Sequence, residues 1–260
     1  MAVVRRFRRV VGVMIGIVPL MLFGVEPALA APLDFGSSGS GSAGSAGCTA
    51  TAAERHGWGT PDRSEDFDHA SSLNNWLVYD GPGHVNNGRR TPDAVTVSDG
   101  SLVISADLAG NSGGLTPNWG GRMHGRWEIC ARSTIAGPAW TAAALLWPDA
   151  EDWPAGGEVD FMEISDPTRQ TVSYFLHWGA ENHIEQHTTI VDATQWHSWA
   201  VEWTPQRITV FRDGIAWGAS VDVNRLPPRP MHLTLQLDNF GGITFPAGRM
   251  FVDRVAEYPL

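Results

Sequence analysis

Lysine is absent: all eighteen basic residues of the 260-residue chain are arginine. Without an ε-amine the chain cannot form a Schiff base, hold pyridoxal through a lysine or complete a phosphate-binding loop. Cysteine is nearly absent, and Cys48 and Cys130 are either a disulfide or two unrelated thiols. No segment holds a helical period for long, and no internal repeat recurs, which excludes propellers and solenoids. Positive charge is scarce as well. The net charge is −10, and it becomes −13 once the four arginines and single glutamate of the first thirty residues are removed. So acidic a chain repels nucleic acid and anionic membranes, and its partners are expected to be neutral or cationic.

What is present divides the chain in three. Arg5-Arg6-Phe7-Arg8-Arg9 precedes an apolar stretch that ends at Ala28-Leu29-Ala30. This is the pattern of a cleaved signal peptide over residues 1–30, since the stretch falls short of the roughly 20 residues a spanning helix needs. The expectation is a secreted protein with no membrane attachment after cleavage. Residues 31–53 are mostly Gly, Ser and Ala, too poor in large apolar side chains to offset the entropy of ordering, and are expected to form a flexible linker. Residues 54–260 are long enough for one domain with a real core.

That domain reads as all-β. Val95-Thr96-Val97 and Leu102-Val103-Ile104 flank Asp99-Gly100, and residues 208–211 and 215–217 flank Asp213-Gly214. Both are hairpin signals. Further strands are expected at residues 127–132, 142–147, 158–164, 171–178, 197–203, 231–237 and 251–257. Short strands at these intervals predict a two-sheet antiparallel sandwich.

Gly157-Glu158-Val159-Asp160-Phe161-Met162-Glu163-Ile164 carries three acids in an otherwise apolar strand. In a regular strand Glu158 and Asp160 share a face and Glu163 points the other way. One extra residue, a β-bulge near Phe161-Met162, returns Glu163 to the acidic face. The two glutamates are then roughly 13 Å apart at Cα, and long side chains leaning inward can approach the ~5–5.5 Å carboxyl separation of a retaining glycosidase. Crowding three carboxylates on a dry face must raise at least one pKa, which supplies a general acid. A calcium site or a salt-bridged strand is the structural alternative, but calcium usually draws its ligands from loops and the strand holds no arginine.

Glu-Val-Asp-Phe-Met-Glu resembles the signature of glycoside hydrolase family 16, in the form with one extra residue found in its laminarinase-like members. Gly125-Arg126-Trp127-Glu128, the run from Trp196 through Asp213-Gly214, and Val252-Asp253-Arg254-Val255 are similar to flanking family strands. The resemblance implies a jelly-roll sandwich with a cleft on its concave sheet, Glu158 as nucleophile, Asp160 as its helper and Glu163 as acid/base. It also implies that Glu128 faces the cleft and that Asp253 is a possible ligand of a structural calcium; no cofactor is required. Where many members carry arginine two residues beyond the matched glutamate, this chain has Cys130.

Twelve tryptophans exceed what a core needs, and flat aromatic faces suit sugar rings. Trp127, Trp199 and Trp203 alternate within strands and are expected in the core. Trp119, Trp140, Trp153 and Trp178 lie near loops or strand ends and are substrate-binding candidates, with Gln236, Glu128 and His177. His177 and Trp178 are adjacent on one strand, so only one of them faces the cleft. His177, His183 and His187 match no compact zinc signature. The expected function is endo-hydrolysis of a β-1,3-linked glucan by a monomer. The alternatives are a glucan transglycosylase, a galactan-cleaving relative and a non-catalytic carbohydrate-binding sandwich.

Overall fold

The computed structural model describes residues 47–260. The signal-peptide expectation, and the expected linker as far as residue 46, lie outside the described residues. Two antiparallel sheets stack around one core. The first runs β15 (Ile215–Ser220), β14 (Ile208–Arg212), β13 (His197–Trp203), β8 (Gly125–Ser133), β17 (Arg249–Tyr258), β6 (Ser101–Ser105) and β5 (Val95–Ser98), with β1 (Arg63–Glu65) also on β17. The second runs β12 (His183–Ile190), β11 (Thr171–Trp178), β10 (Glu158–Ile164), β9 (Trp140–Pro148), β16 (Met231–Asn239), β7 (Gly113–Pro117) and β2 (Trp76–Val78). A small hairpin, β3 (Gly81–Pro82) with β4 (Arg89–Arg90), stands apart from both.

The expected hairpins form. β5 pairs with β6 and β14 with β15. Their turns place Asp99 at φ 52° with Gly100 at 71°, and Asp213 at φ 51° with Gly214 at 73°. Two consecutive positive φ values match the right-handed twist of the flanking strands, which is why Asp-Gly is favoured there. The seven further strands expected from the sequence are present as β8, β9, β10, β11, β13, β16 and β17.

Between the sheets lie the alternating inward residues. Val159, Phe161 and Ile164 of β10 meet Trp127, Trp199 and Trp203 in one continuous buried cluster. Removing each such side chain from water contributes roughly 1.5–3 kcal/mol. Alternation then fixes what faces outward: the residues of β10 and β11 between the buried ones line the second sheet's outer face.

The ordered domain begins before residue 54. Cys48 is disulfide-bonded to Cys130, and Thr51 caps a short helix, α1 (Ala52–His56), by accepting from the Glu54 amide. Ala52 is wholly buried. The described end of the expected linker is therefore part of the folded domain, fastened to β8 through Cys48 and α1.

Candidate active site

β10 carries the bulge that the acid spacing requires. Against β11, Glu158 pairs with His177, Asp160 with Phe175 and Glu163 with Ser173, so three steps on β10 match two on β11. Against β9 the extra residue falls between Asp160 and Met162. His177, Phe175 and Ser173 alternate with core residues Leu176, Tyr174 and Val172. Glu158, Asp160 and Glu163 therefore share the outer face of the second sheet.

That face opens into a cavity of about 650 Å³ bordered by Tyr79, Arg90, Trp147, Trp153, Glu158 and Gln236, among others. Trp147 and Trp153 lie nearly parallel, with ring centroids 6.3 Å apart and planes 10° apart. Trp147 is anchored through Nε1, which donates to Glu151 Oε2 at 2.8 Å. The floor beside Glu163 is low, because its neighbour across β9 is Ala143, followed by Gln236 on β16 and Gly114 on β7.

Asp160 is 2% exposed, and Glu158 and Glu163 are partly covered. Burial first, then the charges of Glu158 and Glu163, holds the Asp160 carboxyl well above the usual carboxylate range. Glu158 is pushed up to about 7 chiefly by burial, with the nearby Glu163 and Asp238 charges adding to it and a hydrogen bond from Trp153 opposing it. Glu163 is also pushed up to about 7, by burial and then by Asp238. Asp238 is itself 1% exposed and is gripped by Arg90, whose Nε and Nη2 donate to the two carboxylate oxygens at 2.8 and 2.6 Å. The arrangement stores protons near neutral pH beside a carboxylate able to attack, on a surface flanked by flat aromatic faces.

Of the residues singled out from sequence, the structure brings Glu158, Asp160, Glu163, Trp153, His177 and Gln236 to this face. Four others go elsewhere. Trp140 is fully buried, with its Nε1 donating to the Thr244 carbonyl at 2.8 Å. Trp119 packs edge-on against Trp76 and donates to Glu257 at 2.9 Å. Trp178 is on the core side of β11, half-buried under Arg225, so His177 takes the cleft side.

Glu128 does point away from the core, but on the first sheet. It accepts from the Ala52 and Ala53 amides at 2.6 and 3.2 Å and from the Ser198 hydroxyl at 2.5 Å. Cys130 is on the same strand, so replacing the family's arginine there removes no group from the cleft. Asp253, 8% exposed, sits where the β17 register shifts between Val252 and Arg254. Among the described residues it belongs to no cluster of three or more ligating side chains. A calcium ion there would take most of its oxygens from main-chain carbonyls and water.

Sequence reading missed Trp147, Tyr79, Arg90 and Asp238. The alternation that singles out Gln236 continues to Asp238 two residues on. Arg90 carries no such signal, because it comes from a two-residue strand outside both sheets.

Residues 85–254 match the model of "Glycosyl hydrolases family 16". Over 101 residues the chain is 34% identical to a beta-glucanase of Rhodothermus marinus, covering 35% of this chain and 35% of that one. It is 30% identical over 169 residues to the endo-1,3-1,4-beta-glycanase ExsH of Rhizobium meliloti, covering 62% of this chain and 35% of the relative. It thus matches about a third of the length of each curated relative. The solved laminarinase from Rhodothermus marinus superposes with a TM-score of 0.68 at 24% identity, over 77% of this chain and 97% of that structure, and shares the fold. With the family model matched across most of the sandwich, the chain belongs to glycosyl hydrolases family 16.

Proposed function

We propose that this chain is a secreted, monomeric endo-glycosidase that hydrolyses β-1,3-linked glucan with retention at the anomeric carbon. The observation that carries the reading is the β10 bulge, which sets Glu158, Asp160 and Glu163 on one face beside the paired rings of Trp147 and Trp153. The bulged form of the strand, together with the beta-glucanase and laminarinase relatives, favours a glucan.

In the first step Glu158 attacks the anomeric carbon as a carboxylate while Glu163 gives its proton to the departing glycosidic oxygen, forming a glycosyl ester on Glu158. Asp160, the more deeply buried of the adjacent pair, retains its proton and leaves the negative charge on Glu158. In the second step Glu163, now a carboxylate, takes a proton from water; the hydroxide attacks the ester carbon, and the sugar leaves with Glu158 regenerated. Trp147 and Trp153 hold the flanking sugar rings flat.

The test uses protein recovered from the medium of expressing cells, supplied side by side with laminarin, lichenan, agarose and carrageenan. Release of reducing ends from laminarin above the others is expected, with Glu158→Ala inactive. Activity on agarose without laminarin would overturn the glucan assignment, and an active Glu158→Ala would overturn the nucleophile.

We also propose a structural calcium at Asp253. Calcium should then raise the melting temperature of the intact protein, because it binds the native state alone. Asp253→Ala should abolish the rise, and an intact protein indifferent to calcium would remove the site.

A further inference from the structure

Spacing along the chain gives His177, His183 and His187 no metal signature, and the fold separates them. His183 and His187 lie on β12 beside Glu181 and Glu185, at 3.9 and 3.4 Å. His177 instead faces β10, and its register partner there is Glu158. Its Nδ1 is 2.8 Å from Asn182 Oδ1. A carboxamide oxygen only accepts, so Nδ1 carries the hydrogen and Nε2 keeps its lone pair.

Nε2 is 3.5 Å from Asp160 Oδ2. That oxygen is buried and has no hydrogen-bond partner among the described residues, although Asp160 as a whole is only 2% exposed. Adding one oxygen of Glu158 completes three potential ligand atoms, all within 4.8 Å of one another. Around a tetrahedral ion with bonds of ~2.0–2.2 Å, ligand atoms stand about 3.4 Å apart. Small side-chain rotations therefore close the set, and the Glu158 side remains open to the cleft.

We propose that Glu158, Asp160 and His177 form a binding site for one divalent first-row transition-metal ion. One imidazole with two carboxylates suits zinc and its neighbours, whereas calcium would want six to eight oxygens. Asn182 is the outer partner that fixes the imidazole's tautomer and aim. An ion held here engages the carboxylate assigned as nucleophile, so loading the site stops attack through Glu158.

The test is calorimetric titration of zinc chloride into the intact protein, with cobalt absorption in the visible as a check on coordination by nitrogen and oxygen. Neither readout depends on which polysaccharide is cleaved or on whether any is. One zinc ion per chain is expected. His177→Ala should weaken its binding by about 100-fold or more, and Asn182→Ala by about 10-fold, the range for losing an outer partner. If His177→Ala fails to melt cooperatively, Asn182→Ala alone decides the matter, since it leaves all three ligands in place. The absence of stoichiometric zinc binding would overturn the proposal, as would unchanged affinity in the folded variants.

Discussion

Glu163 and Asp238 show how one residue sets the chemistry of another. Burial first, and then the negative charge of Asp238, together raise Glu163 to about 7. An acid catalyst must hold its proton, so kcat/KM should fall as pH rises through about 7. Asp238→Asn removes the nearby charge and leaves Arg90 unpaired beside the acids. Both changes favour the carboxylate, so the alkaline limb should move to lower pH. A limb that stays in place would show that Asp238 does not tune the acid. Glu163→Gln should lose ~10²–10⁴ in rate on natural glucan, and much less on an aryl glycoside whose leaving group needs no proton. Equal losses on both substrates would remove the acid role.

At the level of strands, the local signals were legible and the assembly was not. Asp-Gly turns announce hairpins through backbone geometry, and the mismatch between alternation and acid spacing announces the bulge. Which sheet a strand joins is decided by contacts remote in sequence. Glu128 was correctly read as facing away from the core, yet β8 pairs with β13 and β17, so it meets α1 rather than sugar. Trp140 is a cleft candidate from sequence because it lies near the end of the strand expected at 142–147, but β9 extends back to it and its parity with Ala142 and Ala144 puts it inside. The two cysteines are ambiguous in the sequence for the same reason, since only the packing of the segment before α1 against β8 brings Cys48 beside Cys130. Their bond joins positions 82 residues apart and fastens α1 to β8. Replacing both cysteines by serine should cost about 2–4 kcal/mol, seen as a melting temperature lower by roughly 5–15 °C. Activity at room temperature should be unchanged, because the bond lies on the sheet away from the cleft. An unaltered melting temperature would mean that the segment is held by the α1 contacts alone.

Charge belongs to the whole molecule and selects among substrates that the three carboxylates could otherwise cleave. The chain carries −10 in full, and its cleft is bordered by Glu158, with Asp160, Glu163 and Asp238 within electrostatic reach behind it. Arg90 borders that cavity, but its Nε and Nη2 are already committed to Asp238. A sulfated polysaccharide would bring further negative charge to a place with little left to pair it, at a desolvation cost that the carboxylates increase. A neutral glucan meets no such barrier and gains nothing from screening it. Hydrolysis of laminarin should therefore have a nearly constant KM between about 20 mM and about 300 mM salt, over which the Debye length falls from about 20 Å to about 6 Å. Any turnover of carrageenan should rise with salt across the same range, because screening relieves the repulsion. Initial-rate measurements on both polymers in parallel decide it. A laminarin KM that climbs steeply with salt would mean that ionic contacts hold the substrate, and the cleft would then have to be read as one built for a charged polymer.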